Sequence, residues 1–335
     1  MFDNNMVKTI KVGDIVAEPG TKAFGYLKVD ETNGITTSLP IGIVNGAKDG
    51  PTISLTGCTQ GSTYTGPEAA IRIWRETDPK ELCGAIITVP VVNVPLFNAK
   101  AMRQNPIDGK IIERQAFPGN PDGTSSFVIA HKLFTEVILQ SQYHIDFRGG
   151  DLDESETHFI LYSVTGNKEV DDEQHAIAKI CGQKLIFRTK WREARKSGLS
   201  GAALDRGVVS VIAMLSRGMG EYLESDIVAN IEFATNVMKY LKMIPGEVTP
   251  VEDQLVFDQS GRITATHGGI WHPTIGWANL LEKGQVTGYV KDLKGDVLQE
   301  VVSPIDGIVH VLKPARMVHK GETLYSYQTL KKAWD

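Results

Sequence analysis

Along residues 1–245, short continuous runs of apolar residues alternate with stretches in which apolar residues recur every three or four positions. These two patterns predict strands that alternate with helices. Apolar residues spaced three or four apart indicate helices with one buried face, most clearly at residues 125–140 and 224–243. Another helix is predicted to begin near Pro67, since proline is favoured at a first helical position. Short runs of apolar, often β-branched residues predict strands at 10–16, 25–29, 41–44, 53–56, 85–92, 143–147, 158–164, 184–188 and 208–215. Such alternation is typical of an α/β domain with a mostly parallel sheet.

The pattern changes after residue 245. Residues 246–255 are predicted to be a linker, because proline, glycine and charged residues interrupt the apolar pattern. Residues 256–335 contain short alternating strands, many glycines and no helix pattern. Residues 267–285 and 303–324 form a weak internal repeat that resembles a lipoyl-type β-sandwich. The chain therefore divides into an α/β domain at 1–245, whose first 50 residues are N-terminal strands, and a small all-β domain at 256–335.

Composition narrows the classes of function. A length of 335 residues suggests two domains rather than one core. The net charge of -5 disfavours nucleic acid as a partner, because phosphate binding needs a basic surface. No apolar run is long enough to span a membrane, and residues 1–5 lack the basic and apolar pattern of a secretion signal. The three unclustered cysteines favour a reducing compartment, so a cytoplasmic location is expected.

Four segments of residues 1–245 are informative because of the order in which they follow one another along the chain. The first is GCTQGSTYTGP at 57–67, directly after a predicted strand. The second is VPVVNVP at 89–95, followed by Arg103 and Arg114. The third and fourth are IDFRGG at 145–150 and SVIAML at 210–215. In this order they resemble the succinylglutamate desuccinylase/aspartoacylase family, which is related to the zinc carboxypeptidases, and the resemblance covers nearly the whole chain.

This resemblance implies a zinc-carboxypeptidase-like mixed sheet flanked by helices, followed by a small β domain. It also implies a zinc ion, but the family's ligand positions hold Gln60, Thr63 and Arg148. Family members have His, Glu and His there, and a guanidinium offers no lone pair to a metal. Asp146 of the third segment is retained. Zinc is therefore expected from the family but not from these residues, and no other cofactor is predicted.

The general base of the family is also missing. Its glutamate activates the zinc-bound water near the end of the fourth segment, where this chain has Met214. Glu221 lies seven residues further on and is a candidate replacement. The family's framework glycines and prolines remain, so several separate losses are not explained by one shifted alignment.

Arginines are the candidate substrate-binding residues. Arg103 and Arg114 match the stretch that holds a substrate carboxylate in the family, and a guanidinium pairs with a carboxylate through two hydrogen bonds. Glu113 replaces the family's Asn, and residues 115–116 are extra, so this grip is expected to be altered. Arg148 is a third candidate, able to hold an anion or polarise a carbonyl, or to pair with a local carboxylate such as Asp146.

Other groups have simpler interpretations. Asp151, Asp153, Glu154, Glu156 and His158 could form a replacement metal site, but a solvated acidic loop is favoured. His144 and His158 are favoured as hydrogen-bonded structural residues. Cys58 could be a nucleophile near a helix start, but a small residue in a tight turn is favoured. For the basic residues of 188–196, a solvated loop or flap is favoured over a nucleic-acid site.

Three functional hypotheses follow. The protein is a hydrolase for a small acylated amino acid or related carboxylate, with a remodelled and metal-independent site that cleaves an amide or ester bond. Alternatively, it is an inactive pseudoenzyme that binds a small carboxylate, or an interaction subunit. The pocket candidates are Gln60, Thr63, Asp146, Arg148 and Glu221. A homo-oligomer is compatible with each hypothesis, and the substrate is not identified.

Overall fold

The structure is a computed structural model that describes residues 8–32, 35–190, 196–314 and 316–331. Residues 1–5, on which the secretion prediction depends, lie outside the described residues. Residues 191–195 of the basic segment lie outside them as well.

Helices and strands alternate as predicted through the first part of the chain. The helices are α1 (Thr65–Glu76), α2 (Val94–Ala99), α3 (Ile112–Gln115), α4 (Ser125–Glu136), a 3-10 turn at Ile138–Gln140, α5 (Lys168–Lys179), α6 (Leu199–Asp205) and α7 (Glu224–Tyr240). The strands are β1 (Ile10–Val12), β2 (Ile15–Ala17), β3 (Thr21–Thr32), β4 (Ile35–Asn45), β5 (Lys48–Gly57), β6 (Cys83–Val89), β7 (Tyr143–Gly149), β8 (Ser155–Glu156), β9 (Phe159–Val164), β10 (Leu185–Lys190), β11 (Val209–Ser216), β12 (Leu255–Thr264), β13 (Gly269–Pro273), β14 (Leu280–Leu281), β15 (Val286–Lys291), β16 (Val297–Val302), β17 (Gly307–Leu312), β18 (Met317–Val318) and β19 (Thr323–Lys331).

One large sheet dominates the structure, in the order β14-β17-β19-β12-β10-β9-β11-β7-β5-β6-β4-β3, with β8 paired to β17. Strands β11, β7, β5 and β6 at its centre run parallel to one another. The pairs β9–β11, β3–β4, β4–β6 and β12–β19 are antiparallel. The pairs β9–β10 and β10–β12 are also parallel. The sheet is therefore mixed, which confirms the predicted fold class, whereas the mostly parallel sheet expected from the alternation holds only for two groups of neighbouring strands.

Helices cover both faces of the sheet, so its central strands are buried on both sides. Strand β6 shows this directly, because Ile86 packs into one hydrophobic core and the next residue, Ile87, into the other. The first core includes residues from α1, α5 and α7, and the second includes residues from α4 and α6. This two-sided burial is the reason for the nearly continuous apolar run at 85–92.

The C-terminal β region, residues 255–331, continues the large sheet. Its first strand, β12, pairs in parallel with β10, and β19 pairs with β12. A separate four-stranded sheet has the order β16-β15-β13-β18. Trp271, Val290, Leu324 and Tyr325 are fully buried in the core of this region. The extra antiparallel strands agree with the predicted β architecture, and the boundary at 246–255 stays a prediction.

Several helices begin or end at residues other than those that the sequence patterns predicted. Helix α1 begins at Thr65, two residues before Pro67, and α4 ends at Glu136 before the 3-10 turn. Helices α2, α3, α5 and α6 were not predicted. No helix in the described part of the chain is long and apolar enough to cross a membrane.

Candidate functional site

The carboxyl ends of three central strands bring three of the four sequence segments together. Strands β5 and β7 are parallel with Thr56 opposite Asp146, and β7 and β11 are parallel with Arg148 opposite Met214. Gln60 follows β5 and lies at the same edge. Parallel strands in a sheet end at one edge, and ligand sites of α/β proteins lie there.

Two adjoining cavities lie at this edge. The smaller, of about 400 Å³, is called the arginine cavity here because Arg114 and Arg148 line it together with Glu113. The larger, of about 640 Å³, is called the acidic-loop cavity and lies against the C-terminal β region. Four residues line both cavities: Gln60, Arg114, Leu161 and Met214. A ligand in one cavity is therefore next to the other.

A hydrogen-bonded ion pair with Asp146 fixes the position of Arg148. The Arg148 Nε donates to Asp146 Oδ2. Asp146 is fully buried and its Oδ1 also accepts from Thr56 Oγ1 at 2.8 Å and Thr59 Oγ1 at 3.2 Å. Because only Nε is used, the two terminal guanidinium nitrogens have no hydrogen bond to the described residues. Those nitrogens are available to a ligand in the arginine cavity.

His144 continues this network beneath the site. Thr56 donates its single hydroxyl hydrogen to Asp146, so His144 Nε2, at 2.9 Å from Thr56 Oγ1, is the donor to that hydroxyl. His144 Nδ1 then accepts from Ser210 Oγ at 2.9 Å. Burial lowers the pKa of His144 to about 4, so the ring is neutral at pH 7. These bonds support the structural interpretation of His144.

Glu113 and Arg114 stand side by side where the cavities meet. Glu113 Oε1 lies 3.4 Å from Arg114 Nε, and the Glu113 side chain is buried whereas that of Arg114 is 59% exposed. Burial raises the pKa of Glu113, although the nearby Arg148 and Arg114 charges act in the opposite direction. Glu113 Oε2 has no hydrogen-bond partner among the described residues. The pair therefore presents an exposed cation and a buried carboxyl group whose protonated form is favoured.

The acidic segment is not the solvated loop that the sequence favours. Asp151 is fully buried and Glu156 is 4% exposed. Arg103 donates to Asp151 at 2.9 Å and to Glu154 at 2.7 Å, and it also pairs with Asp153. The solvated interpretation is wrong because these ion pairs, and the pairing of β8 with β17, draw the segment inward.

Arg103 is thus engaged by three carboxylates. It lines the acidic-loop cavity and not the arginine cavity. Lys313 of the C-terminal β region completes the cluster, with its Nζ 2.7 Å from Asp153 and 3.1 Å from Glu154. The substrate-binding role of Arg103 stays a prediction, and its guanidinium is already committed to the acidic segment.

Glu156 and His310 line the acidic-loop cavity, and each has a side-chain atom without a hydrogen-bond partner among the described residues. These atoms are Glu156 Oε2 and His310 Nδ1. Burial raises the pKa of Glu156 well above its usual value and lowers that of His310 to about 4. The His310 ring lies against Phe159 and Phe187, with ring centres 6.0 and 6.4 Å away. His310 and Lys313 were missed from the sequence, because no local motif marks either residue.

The remaining predicted residues lie around this site. Gln60 lines both cavities, and its Oε1 has no partner among the described residues. Thr63 is buried and lines neither cavity. Glu221 is exposed and also lines neither, so the structure does not bring the candidate base to the site. Cys58 is buried and its pKa is raised to about 12, which supports a structural role over a nucleophilic one.

The residues at the zinc-ligand positions that the resemblance predicts do not have the chemistry of zinc ligands. Gln60 and Thr63 are neutral oxygen donors, and the Arg148 cation occupies the third position with Asp146 as its counter-ion. Zinc is held by thiolate, imidazole or carboxylate groups, and a guanidinium repels it. Within the described ranges, no group of three or more His, Cys, Asp or Glu residues could hold a metal ion.

Similar proteins are found along nearly the whole chain, although no protein-family model matches it. The curated N-alpha-acetyl-L-2,4-diaminobutyric acid deacetylase of Halomonas elongata is 24% identical over 315 residues, which cover 90% of this chain and 89% of that protein. A succinylglutamate desuccinylase/aspartoacylase from Rhodobacter sphaeroides has a TM-score of 0.82 at 23% identity, covering 93% of this chain and 96% of its own. The ectoine utilization protein EutE (DoeB) from Ruegeria pomeroyi was solved with product bound. It has a TM-score of 0.82 at 21% identity, and the match covers 92% of this chain and 95% of its own.

These matches extend over nearly the whole chain, as the sequence resemblance does. The superpositions include both the α/β part and the C-terminal β region, because they cover more than nine-tenths of this chain. The predicted resemblance is confirmed: the chain is similar over nearly its whole length to proteins of the succinylglutamate desuccinylase/aspartoacylase family and has their fold.

Proposed function

We propose that this protein binds a small acylated amino acid, or a related carboxylate, in the arginine cavity, and that it does so without zinc-activated water. The observation that carries the proposal is the position of Arg148. Its guanidinium stands where the family has its third zinc ligand, and Asp146 holds it there through Nε. A degenerate metal site with a fixed organic cation follows from this arrangement.

The electrostatics of the cavity support binding of an anion. Asp146 orients Arg148 and balances its charge, while Arg114 supplies a second and more exposed cation beside it. Because burial favours the protonated form of Glu113, that carboxyl need not cancel the charge of Arg114. Terminal guanidinium nitrogens pair well with a carboxylate, and such charge-assisted hydrogen bonds are stronger than neutral ones.

The names of the similar proteins support the ligand class. The Halomonas protein is named as a deacetylase of an acetylated diamino acid, and the EutE structure holds its product. The Halomonas name describes chemistry at a small amino acid. A cavity of about 400 Å³ is large enough for a ligand of this kind.

A second candidate function is metal-independent deacylation in the same cavity. Glu113 favours it, because this carboxyl with a raised pKa lines the cavity beside Arg148. Water would attack the acyl carbonyl that Arg148 polarises, and Glu113 would give its proton to the leaving amine. The proton that the attacking water releases would then return Glu113 to its protonated form. The interaction-subunit hypothesis, the cytoplasmic location and a homo-oligomer stay predictions.

Calorimetry on chelator-treated protein tests the proposal. We expect saturable binding of Nα-acetyl-L-2,4-diaminobutyrate or N-acetyl-L-aspartate, weakened about tenfold or more by Arg114→Ala, since a hydrogen bond to a charged group contributes about 1.5–3 kcal/mol. Arg75→Ala, which removes an exposed arginine at the end of α1, is the matched control and should bind normally. Absence of binding by the unmodified protein would refute the proposal.

The same samples separate binding from turnover. Release of free amine in the presence of chelator, lost in Glu113→Gln, would favour metal-independent deacylation. Binding without release would favour the pseudoenzyme. Activity that rises in proportion to one added zinc per chain would contradict both candidates, because it would require a zinc centre that these residues do not provide.

A further inference from the structure

Two buried carboxyl groups share one cation at the junction of the cavities. Glu113 lines the arginine cavity and Glu156 lines the acidic-loop cavity, and the two residues are 3% and 4% exposed. In each of them Oε2 has no hydrogen-bond partner among the described residues. Burial favours the protonated form of both groups, whereas the charge of Arg114 favours the ionised form of both. Arg114 lines both cavities and is therefore a counter-ion for one carboxyl group in each.

Arg114 is held less firmly than the other arginine of the arginine cavity. Its Nε lies 3.4 Å from Glu113 Oε1, and its side chain is 59% exposed. Arg148, in contrast, is buried and donates to the buried Asp146. An ion pair with an exposed partner is weak, because water screens it. A ligand carboxylate can therefore draw Arg114 away from Glu113 at little cost.

The other charges that face Glu113 lie on β7 and act in the same direction when an anion binds. Arg148 favours the ionised form of Glu113, and Asp146 disfavours it. A ligand carboxylate beside Arg148 adds a negative charge to this pair. It therefore weakens the attraction that Arg148 exerts on an ionised Glu113.

The charged groups around Glu156 are mostly paired with one another. Glu154 disfavours the ionised form of Glu156 and forms ion pairs with Arg103 and Lys313. Asp151 and Asp153 of the same segment also pair with Arg103. His310 is neutral at pH 7, and Arg262 is exposed and therefore screened by water. A ligand that draws Arg114 away thus leaves an ionised Glu156 less stable than before.

We propose that Arg114 moves from these two carboxyl groups to the ligand carboxylate on binding, and that the ligand is therefore bound together with a proton. The proton comes from the buffer and adds to whichever of Glu113 and Glu156 is ionised. One negative charge enters with the ligand and one is removed by protonation, so the net charge of the two cavities is conserved. This inference rests on the proposed function, since it assumes that the arginine cavity holds a carboxylate.

The direction of the pH dependence follows from this exchange. Burial raises the pKa of Glu113 in the free protein and raises that of Glu156 well above its usual value. The ligand raises each pKa further, because it takes the Arg114 charge and adds its own. Affinity is therefore constant while both groups are protonated, and it decreases as the pH rises through their values in the free protein. A pKa difference of about one unit corresponds to a decrease of about tenfold.

Calorimetry with N-acetyl-L-aspartate between pH 6 and pH 9 tests the proton coupling, because the carboxylates of this ligand stay ionised throughout that range. Affinity is expected to decrease about tenfold from the lower to the higher pH. At intermediate pH, the binding heat should depend on the ionisation enthalpy of the buffer, which measures the protons taken up. Turnover would give heat that continues after each injection, so it is separated from the heat of binding.

Variants connect the proton to these residues. The pH dependence should be smaller in Glu113→Gln and absent in the double variant Glu113→Gln with Glu156→Gln, which also takes up no proton. Glu173→Gln is the matched control and should keep the full dependence, because this carboxyl on α5 bonds to Tyr143 and Tyr240 and lines neither cavity. The buffer comparison on the unmodified protein needs no variant, so it stands even if a variant does not fold.

The outcomes separate this inference from the proposed function. Binding with the same affinity from pH 6 to pH 9, and with a heat that is independent of the buffer, would overturn the proton coupling and leave the carboxylate site intact. A decrease that persists in the double variant would also overturn it, since another group would then carry the proton. If N-acetyl-L-aspartate and Nα-acetyl-L-2,4-diaminobutyrate bind at no pH, the proposed function fails, and the coupling fails with it.

Discussion

Two of the buried carboxyl groups at the paired cavities, Asp146 and Glu156, have completely different surroundings. Asp146, below the arginine cavity, accepts hydrogen bonds from Thr56, Thr59 and Arg148. Glu156, beside the acidic-loop cavity, accepts none from the described residues. A buried polar group that is fully bonded is part of the framework, whereas one without partners needs another explanation, such as an ordered water, an ion or a catalytic role. The comparison therefore separates a carboxyl group that supports the site from one that the folded chain leaves unsatisfied.

The largest effect is expected from Asp146→Asn. It leaves the buried Arg148 cation without its counter-ion, and breaking such a pair typically costs about 3–5 kcal/mol. Urea unfolding monitored by tryptophan fluorescence measures the loss. The double variant Asp146→Asn with Arg148→Met is the control and should recover most of the stability, because it removes both charges. A single variant as stable as the unmodified protein would show that the pair does not support the framework.

A second test uses the neutral histidine of the framework. The pKa of His144 falls from 6.5 to about 4 on folding, so the unfolded chain binds a proton first as the pH decreases. Stability present above about pH 6.5 is therefore lost down to about pH 4, by about 3 kcal/mol at roughly 1.4 kcal/mol per pKa unit. Unfolding at pH 7.5 and pH 4.5 should show a smaller decrease for His144→Gln. An identical decrease would contradict the buried neutral ring.

Glu156 should show the opposite pH dependence. Its pKa is raised on folding, so the folded state retains the proton longer and loses stability as the pH rises above the usual value. Glu156→Gln removes this loss and should be more stable than the unmodified protein at pH 8, by about 1–3 kcal/mol for a buried unsatisfied group. Glu154→Gln is the matched control. It should lower stability instead, because Glu154 is paired with Arg103 and Lys313.

The smallest effect is expected from Lys313→Met. Its partners Asp153 and Glu154 are 34% and 20% exposed, so water already screens the interaction. Loss of about 1 kcal/mol or less is expected, in line with exposed ion pairs. Thermal unfolding should detect only a small shift. A loss as large as that of Asp146→Asn would mean that the acidic cluster, rather than the Arg148 network, is the main electrostatic support.

The sequence patterns predicted the parts of this structure that depend on near neighbours along the chain. Short apolar runs located β5, β6, β7 and β11, and the family resemblance of the segments that follow was enough to expect Gln60, Arg148 and Met214 together. Helix α5 was missed because its sequence, KEVDDEQHAIAK, is mostly polar and buries only a narrow stripe. The pattern therefore resembles a solvated loop.

The second half of the site depends on contacts between distant residues. Lys313 meets Glu154 across 159 positions, and no local pattern records such a pair. For the same reason the acidic segment was interpreted as solvated, since its cations lie at Arg103 and Lys313. Arg103 was expected to face a substrate carboxylate, but a guanidinium beside three acidic side chains is satisfied within the protein.

The short ladder between β8 and β17 has a consequence for protein engineering. The acidic-loop cavity has one wall from residues 154–161 and another from residues 310–313, and the ladder fastens them to each other. A chimera that exchanges only the C-terminal β region with that of a relative would separate Glu156 from His310. Recombination that preserves ligand selectivity therefore has to transfer both strands together, although more than 150 residues lie between them in the chain.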